Sequence, residues 1–342
     1  MAFQWCQEGR KCHIYIKQVA EEPPTQLTNA GVDDLSPAWS PDGHFIAFLR
    51  ELDLKKRALI LIPQRGGRER QLDTWDVSKV RTEPLKGPHL AWTPDSKWLA
   101  FPYLEENHRD QALFLISVET REKRRLTNPA GDLRGDTSPA FSPDGSRLVF
   151  NREHVIVAAE LYVLYLGENY SPKGEPKRLD TGNVWNLGAA WTPDGQEILI
   201  SSGIYPMPGL WRMEVLKQGK PVKLNLPYDN IWAPSISRLG KRLAYSVGTN
   251  DSNIWGVNME GAGWKPSRPV PFIASTKFEA EPAFSPDGRR VAFISSQFGP
   301  REIWMCDSDG RNPVQLASMN ADLQGPRWSP DGQSIAFAAE AK

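Results

Sequence analysis

The sequence predicts an all-β protein, a seven-bladed β-propeller whose final blade is closed by strands from both termini. Three observations support this prediction: one short motif occurs seven times, successive copies lie about 44 to 53 residues apart, and each end of the chain supplies part of a further blade. This spacing suits one four-stranded sheet per copy, because a propeller arranges such sheets around a central channel.

Each copy of the motif joins an apolar residue to a Ser/Thr-Pro-Asp-Gly turn, and an alternating apolar run follows. The copies are Trp39-Ser40-Pro41-Asp42-Gly43, Trp92-Thr93-Pro94-Asp95-Ser96, Phe141-Ser142-Pro143-Asp144-Gly145, Trp191-Thr192-Pro193-Asp194-Gly195, Ile236-Ser237-Arg238-Leu239-Gly240, Phe284-Ser285-Pro286-Asp287-Gly288 and Trp328-Ser329-Pro330-Asp331-Gly332. The second copy ends in Ser96 and the fifth replaces Pro-Asp with Arg238-Leu239. We expect each departure to loosen one turn without opening the ring.

The turn residues have a structural explanation. Proline presets the φ angle of a type I turn, aspartate accepts hydrogen bonds from backbone amides, and glycine supplies a positive φ. Because the aspartates recur from blade to blade, we interpret them as turn residues and not as a ring of catalytic carboxylates. The proline before the inner-strand aromatic residue, such as Pro37 or Pro139, is expected at a strand start, where its missing N–H costs little.

A single domain is predicted over residues 1–342. Its blade cores lie near residues 36–72, 88–127, 137–179, 187–224, 232–273, 281–317, and 325–339 combined with 12–27. The last blade is assigned from both ends because 12–17 and 26–28 align with third and fourth strands, whereas the final copy supplies only two strands. Such closure would remove the open sheet edges.

Composition restricts the classes of partner. Lys and Arg number 41 and Asp and Glu number 41, so the formal net charge of the 342 residues is zero. Since no basic run is interleaved with aromatic residues, we do not expect nucleic acid as a partner, and no apolar stretch is long enough for a membrane span. The first residues show no signal-peptide pattern. Cys6 and Cys12 could form a bridge, but isolated thiols are the expected state.

The repeat resembles the WD40-like, TolB-type β-propeller repeat, also called PD40, with the pattern Pro-x-Trp/Phe-Ser-Pro-Asp-Gly, Ile-Ala-Phe, Ile-Trp and Gln-Leu-Thr. The sixth copy matches almost throughout, from Pro282 to Gly288 and at Val291-Ala292-Phe293, Ile303-Trp304 and Gln315-Leu316. This resemblance implies the propeller fold and a periplasmic or extracytoplasmic location. TolB itself has a separate α/β domain and six blades, which this chain does not show, so its lipoprotein partner is not carried over.

The channel mouth is the expected site, because binding residues concentrate on loops held by a rigid scaffold. Candidate ligand-binding residues at the starts of the inner strands are Asp34, His89, Asp136, Trp185, Asn186, Asn230, Trp232, Glu279, Glu281 and Asp322. Loops between second and third strands add Glu105, Glu106, Glu153, His154, Tyr205, Asp251 and Phe298. This acidic, aromatic rim would suit a basic peptide segment, a protein loop or a saccharide. The competing interpretation is that the tryptophans wedge between blades and the acids are solvated.

The sequence favours a non-catalytic binding module without a cofactor, a monomer whose ligand is a protein, peptide or glycan. Neither a Gly-x-Ser-x-Gly elbow nor a phosphate-binding glycine loop is present. One alternative is a metal-assisted lyase or hydrolase acting on an oligosaccharide or peptide, with His89, His108 and His154 as metal ligands. Another is the sensory half of a larger signalling protein, since related arrays occur in such proteins.

Overall fold

The computed structural model describes residues 1–6, 11–17, 23–78, 89–106, 108, 110–130, 134–155, 158–183, 185–204, 207–217, 219–226, 230–237, 242–248, 252–257, 259–260, 265–298, 301–319 and 321–341. These residues form β-strands and a single 3₁₀ turn, Glu168–Tyr170. The chain separates into two compact units, Met1–Val247 and Gly248–Lys342, which are treated individually below. Within the described ranges, no helix has the length and apolar character needed to cross a membrane.

The first unit contains an N-terminal sheet followed by two four-stranded antiparallel blades. The N-terminal strands are Ala2–Cys6 (β1), Cys12–Ile16 (β2) and Thr25–Gln26 (β3). Blade 1 consists of Asp34–Trp39 (β4), Phe45–Glu51 (β5), Lys56–Pro63 (β6) and Arg70–Asp76 (β7). Blade 2 consists of Ala91–Trp92 (β8), Trp98–Tyr103 (β9), Ala112–Ser117 (β10) and Lys123–Arg125 (β11).

The rest of the first unit continues the repeat. Blade 3 consists of Gly135–Phe141 (β12), Arg147–Val155 (β13), Ala158–Tyr165 (β14) and Lys177–Leu179 (β15). Blade 4 consists of Trp185–Trp191 (β16), Glu197–Ile204 (β17), Met207–Glu214 (β18) and Val222–Lys223 (β19). One parallel pair, Ala159 with Trp185, joins blades 3 and 4. The hairpin of Ile231–Ile236 (β20) and Leu243–Val247 (β21) ends the unit.

The second unit contains one complete four-stranded blade. It begins with Ile254–Gly256 (β22), Met259–Glu260 (β23), Lys265–Pro266 (β24) and Val270–Ile273 (β25), in which β22 pairs with β25 and β23 with β24. Blade 6 consists of Glu279–Phe284 (β26), Arg290–Ser295 (β27), Glu302–Asp307 (β28) and Val314–Ala317 (β29). The last hairpin is Ala321–Trp328 (β30) with Ile335–Ala341 (β31).

The hydrophobic core lies between successive sheets, as a propeller requires. Leu59 and Leu61 of blade 1 share a buried cluster with Leu99, Phe101 and Phe114 of blade 2. Corresponding clusters lie between blades 2 and 3 and between blades 3 and 4. Blades 2 and 3 are therefore covered on both faces, which explains the continuous apolar character of their middle strands.

The inner-strand tryptophan adds a repeated polar contact between neighbouring sheets. The indole N–H of Trp92 donates to the Ala38 carbonyl at 3.0 Å, and that of Trp191 donates to Ala140 at 3.0 Å. In the second unit, the Trp328 indole donates to Ala283 at 2.9 Å. A buried indole thus satisfies its only donor while it fixes the distance between adjacent inner strands.

The Ser/Thr-x-Asp turn has the predicted structural role, which its hydrogen bonds confirm. In blade 3, the Ser142 hydroxyl donates to Asp144 Oδ1 at 2.5 Å and accepts the Arg147 N–H at 3.0 Å. Asp144 Oδ1 also accepts the Ser146 N–H at 3.0 Å. The aspartates whose turns have the same arrangement are Asp42, Asp95, Asp194, Asp287 and Asp331.

A β-bulge interrupts the inner strands, and it corrects the prediction for the prolines. Pro37 and Pro139 lie inside β4 and β12, not at the strand starts. The register shifts just before the inner-strand aromatic residue, and the bulged position has a positive φ, 51° at Ser36 and 55° at Glu281. A bulge leaves its extra residue outside the ladder, so a proline there removes no ladder hydrogen bond.

The N-terminal sheet contains a strand that the sequence did not predict. β2 pairs with β3 on one side, and β1 occupies its other edge in the register Ala2 with Ile16 through Cys6 with Cys12. The last pair is joined by a disulfide, so the expectation of isolated thiols was wrong. β1 occupies the edge of β2 at which a strand of 325–339 is expected from the sequence. Seven blades closed by both termini therefore remain a prediction.

Candidate binding residues at the starts of the inner strands

Seven of the ten residues predicted at the starts of the inner strands are buried within the blades. Those with buried side chains are Asp34, His89, Asp136, Trp185, Asn186, Asn230 and Glu279. Trp232 is half-buried, and Glu281 and Phe298 are exposed. The side chain of Asp322 and the whole of Tyr205 and Asp251 lie outside the described residues. The acidic character read from the sequence is consequently reduced at the surface.

In blade 1, the candidate carboxylate is neutralised by an arginine on the neighbouring strand. Asp34 is fully buried, and its two oxygens accept from Nε and Nη2 of Arg50 at 2.7 and 3.0 Å. The same guanidinium donates to Glu69 at 2.5 Å. A bidentate pair of this kind has strong directional hydrogen bonds, and both carboxylate oxygens of Asp34 are engaged.

Blade 3 repeats this arrangement. Arg152 Nε and Nη2 donate to the two oxygens of fully buried Asp136 at 2.7 and 2.9 Å. Burial raises the pKa of Asp136, and the hydrogen bonds from Arg152 act in the opposite direction. Burial also raises the pKa of the neighbouring Glu153, which accepts a hydrogen bond from the Thr137 hydroxyl at 2.8 Å. This part of the rim forms an internally satisfied layer.

The three histidines considered as metal ligands have separate surroundings. His108 lies 3.4 Å from Glu105 and His154 lies 2.9 Å from Glu160. His89 is buried, and this burial, with the charge of Arg57, lowers its pKa to about 3. Within the described ranges, no three side chains of the metal-binding types form a group that could hold an ion. The proposed histidine triad is therefore corrected: these residues do not form one site.

Trp185 and Trp232 contact each other between the blades. Their ring centroids are 5.3 Å apart and the rings are perpendicular. The Trp232 indole N–H donates to Asn230 Oδ1 at 2.5 Å, and Asn186 Nδ2 donates to the Ala159 carbonyl at 2.6 Å. An edge-to-face pair is a stabilising packing arrangement, so the wedge interpretation fits Trp185, whereas Trp232 retains a partly exposed face.

Blade 6 has a different set of polar neighbours at the same level. Glu279 is buried, and its Oε1 accepts from the Ser275 hydroxyl at 2.7 Å. Ser295 occupies the β27 position directly opposite Glu279, where blades 1 and 3 have arginine. Glu281, two residues later, accepts the Gly325 N–H at 2.6 Å. The blade 6 site is thus acidic without the internal arginine.

Arg50, Arg152 and Glu302 were not among the residues predicted from the sequence, although a signal for the arginines is present. Arg50 follows Asp34 by 16 residues, and Arg152 follows Asp136 by the same 16. This interval equals the distance along the chain between opposite positions of the first and second strands. An alignment of the repeats on the turn would have paired them.

The chain is similar to several bacterial proteins. The protein "Uncharacterized protein Atu1656" of Agrobacterium fabrum is 27% identical over 219 residues, which cover 59% of this chain and 65% of that protein. "Tol-Pal system protein TolB" of Francisella tularensis subsp. mediasiatica is 24% identical over 263 residues, covering 74% and 56%. The solved TolB from Acinetobacter baumannii is 18% identical with a TM-score of 0.48, covering 95% and 81%.

The chain spans less than two thirds of the length of these two relatives. The model of the TolB beta propeller domain, PD40, matches residues 79–330. That match includes most of the repeats and more than half of the chain, and it agrees with the observed all-β sheets and their recurring turns. The protein therefore belongs to the TolB β-propeller domain family.

Proposed function

We propose that the protein is a non-catalytic binding module that holds a protein partner at the inner-strand starts of its blades. The observation that carries this proposal is membership of the TolB β-propeller family, whose relatives include proteins named for the Tol-Pal system. The hydrogen-bonded strand starts support it, because each unit keeps its own outward-facing residues on an ordered sheet. These residues are the half-buried Trp232 in the first unit and the exposed Glu281 and Phe298 in the second. A peptide or a glycan is an alternative ligand that the same test distinguishes.

Site-specific photo-cross-linking tests the proposed surface. Benzoylphenylalanine would replace Trp232 or Phe298, and the matched control would carry it at Gln196, an exposed position in the turn of blade 4. We expect a discrete protein adduct from positions 232 and 298 in extracts of the source organism, and none from 196. Equal adducts from all three positions, or none from 232 and 298, would refute the proposed site. Carbohydrate in place of protein in the adduct would identify a glycan ligand.

The proposal includes a closed ring of seven blades, with the final blade shared by both termini. The seven motif copies and the β2–β3 pairing support it, and the closure would require a strand of 325–339 to replace β1 at the edge of β2. Deletion of residues 1–27 should then lower the melting temperature, because the ring would lose the strands that complete its last blade. A deletion variant that melts with the full chain would disprove this closure.

We further infer that the protein works as a monomer in an oxidising compartment. The Cys6–Cys12 disulfide supports this location, since disulfides persist where thiols are not kept reduced. Thiol titration in denaturant, on protein isolated without reductant, should detect only Cys306. Three reactive thiols would contradict the inference. The histidine-centred lyase or hydrolase is not proposed, because His108 and His154 pair with different glutamates and the described residues contain no group of three potential metal ligands.

A further inference from the structure

Two buried carboxylates lie on either side of one serine in blade 6. The register places Glu279 of β26 opposite Ser295 of β27, and Ser295 opposite Glu302 of β28. Glu279 is only 2% exposed and Glu302 only 5%. Three neighbouring strands therefore present acid, serine and acid in one row at the inner-strand start of the blade.

Each carboxylate is only half satisfied. Ser275 donates to Glu279 Oε1 and Ser318 donates to Glu302 Oε1, both at 2.7 Å, while Ser295 approaches Glu279 Oε1 at 3.4 Å. The Oε2 atom of each glutamate is buried without a hydrogen-bond partner in the described part of the chain. A buried carboxylate oxygen without a donor is energetically costly, so this row has unused capacity for a cation.

Blade 3 shows what occupies the equivalent position when the row is complete. There, Asp136 lies opposite Arg152, and Arg152 lies opposite Glu160. The Arg152 guanidinium donates twice to Asp136. Glu160 is served by Arg178 at 2.9 Å. Ser295 follows Glu279 by the same 16 residues that separate Arg152 from Asp136. Blade 6 thus keeps both acids of the row and lacks the guanidinium.

We propose that blade 6 binds the guanidinium of an arginine side chain presented by the protein partner. The inference rests on the proposed binding function and specifies one anchor of that function. A guanidinium fits better than an ammonium, because its planar fork of five N–H donors can serve two carboxylates. The partner's arginine would supply to Glu279 the donors that Arg152 supplies to Asp136 in blade 3, and its remaining N–H groups would serve Glu302, the acid whose counterpart in blade 3 is paired with Arg178.

Aromatic side chains beside the row favour the same ligand. Phe298, in the loop after β27, is 69% exposed and lies 5.6 Å from the ring of Trp304. Trp304 is two residues from Glu302 on β28, so the two side chains share a face of the strand. Arg301 lies over the Phe278 ring at 4.6 Å, which shows that rings of this blade accept guanidinium groups. An incoming arginine would find a ring face next to the carboxylates.

The binding test uses N-acetyl-L-arginine amide, with the uncharged N-acetyl-L-citrulline amide as a matched probe, followed by NMR on the full chain. We expect the arginine probe to bind in the millimolar range and the citrulline probe not to bind. Glu302→Gln should weaken binding about tenfold or more, because a hydrogen bond to a charged group is lost. No arginine binding at about 50 mM, or equal binding of both probes, would overturn the proposal.

A second variant tests the position of Ser295, where blade 6 lacks the arginine of blade 3, without relying on the partner. Ser295→Arg should place an internal guanidinium between the acids, abolish probe binding and leave the protein more heat-stable than Ser295→Met, its uncharged control of similar length. Equal melting temperatures for the two variants, or retained probe binding in Ser295→Arg, would contradict the inference. If cross-linking from Phe298 persists in Ser295→Arg, the proposed binding function stands while the arginine anchor fails.

Discussion

The two ends of blade 3 each contain an aspartate, but the residues that satisfy them are arranged differently. At the turn, Asp144 receives its hydrogen bonds from Ser142 and Ser146, both two residues away. At the inner-strand start, Asp136 is served by Arg152 from the next strand. The hydrogen bonds of the turn come from residues within the motif, so the turn recurs from blade to blade. The aspartate at the strand start is paired by a residue distant in sequence, and this pairing varies between blades. This variation makes the strand-start end the place where blades can acquire different functions.

The largest expected effect is at the buried pair of blade 3. Asp136→Asn leaves the guanidinium of Arg152 largely buried without its counter-charge, since the arginine side chain is only 12% exposed. Removal of one partner from a buried pair costs about 3–5 kcal/mol of unfolding free energy. Urea unfolding monitored by circular dichroism measures this loss.

The control replaces both partners, as Asp136→Leu with Arg152→Met. This double variant should recover most of the lost stability, because no uncompensated charge remains in the blade. A loss below about 1 kcal/mol in Asp136→Asn would mean that water reaches the pair and that the strand starts are open.

Asp144→Ala at the turn should have a smaller effect. The aspartate is partly exposed, and water can replace its hydrogen bonds to Ser142 and Ser146. We expect a loss of about 1 kcal/mol in the same urea measurement. A loss equal to that of Asp136→Asn would remove the distinction between the two ends of the blade.

The pH dependence of stability should also differ between the turn and the inner-strand start of blade 3. Burial alone would raise the pKa of Asp144, but the hydrogen bonds from Ser142 and Ser146 dominate and lower it to about 2. The ionised aspartate therefore stabilises the fold above its unfolded pKa of about 4, and this contribution is lost as the pH falls from about 4 to 2. Asp144→Asn should lose less stability than wild type over that interval.

Glu153 should affect the pH dependence of stability in the opposite direction to Asp144. Burial raises its pKa, so the folded state takes up a proton more readily than the unfolded state as the pH falls. Glu153→Gln removes this compensating uptake and should make the acid loss of stability steeper than in wild type. Urea midpoints between pH 7 and 2 test both variants, because the uptake at Glu153 occurs above its unfolded pKa of about 4.5 and the change at Asp144 below about 4. Parallel curves for all three proteins would contradict the assignment.

The hydrogen bonds within each turn were predictable from the sequence, and the ion pairs between neighbouring strands were not. Asp42 and its counterparts were recognised as turn residues because their partners lie within the same short motif. The burial of Asp34 depends on its ion pair with Arg50, which lies on another strand. Without knowledge of such pairs, the sequence predicts more exposed negative charge at the starts of the inner strands than the structure has. The bulge at Ser36 was missed for a similar reason, since it appears only when the register of β4 against β5 is known.

Blade 5, the repeat that contains the hairpin of β20 and β21, offers the smallest expected effect, and this effect is a gain in stability. Its turn retains Ser237, whose hydroxyl accepts the Arg242 N–H at 3.1 Å, as the equivalent serines do elsewhere. Arg238 and Leu239 replace the usual Pro-Asp and lie outside the described residues. Arg238→Pro with Leu239→Asp would restore the motif and should raise the unfolding free energy by about 0.5–1 kcal/mol.

Arg238→Pro with Leu239→Asn is the matched control for that gain, because asparagine has the shape of aspartate without the carboxylate charge. If the turn is a self-contained device, the aspartate variant should be the more stable of the two at pH 7 and should lose that advantage near pH 2. Equal stability at both pH values would show that the turn in blade 5 depends on its surroundings. The contrast between a turn satisfied within its own motif and a strand start satisfied by a neighbouring strand would then not extend to this blade.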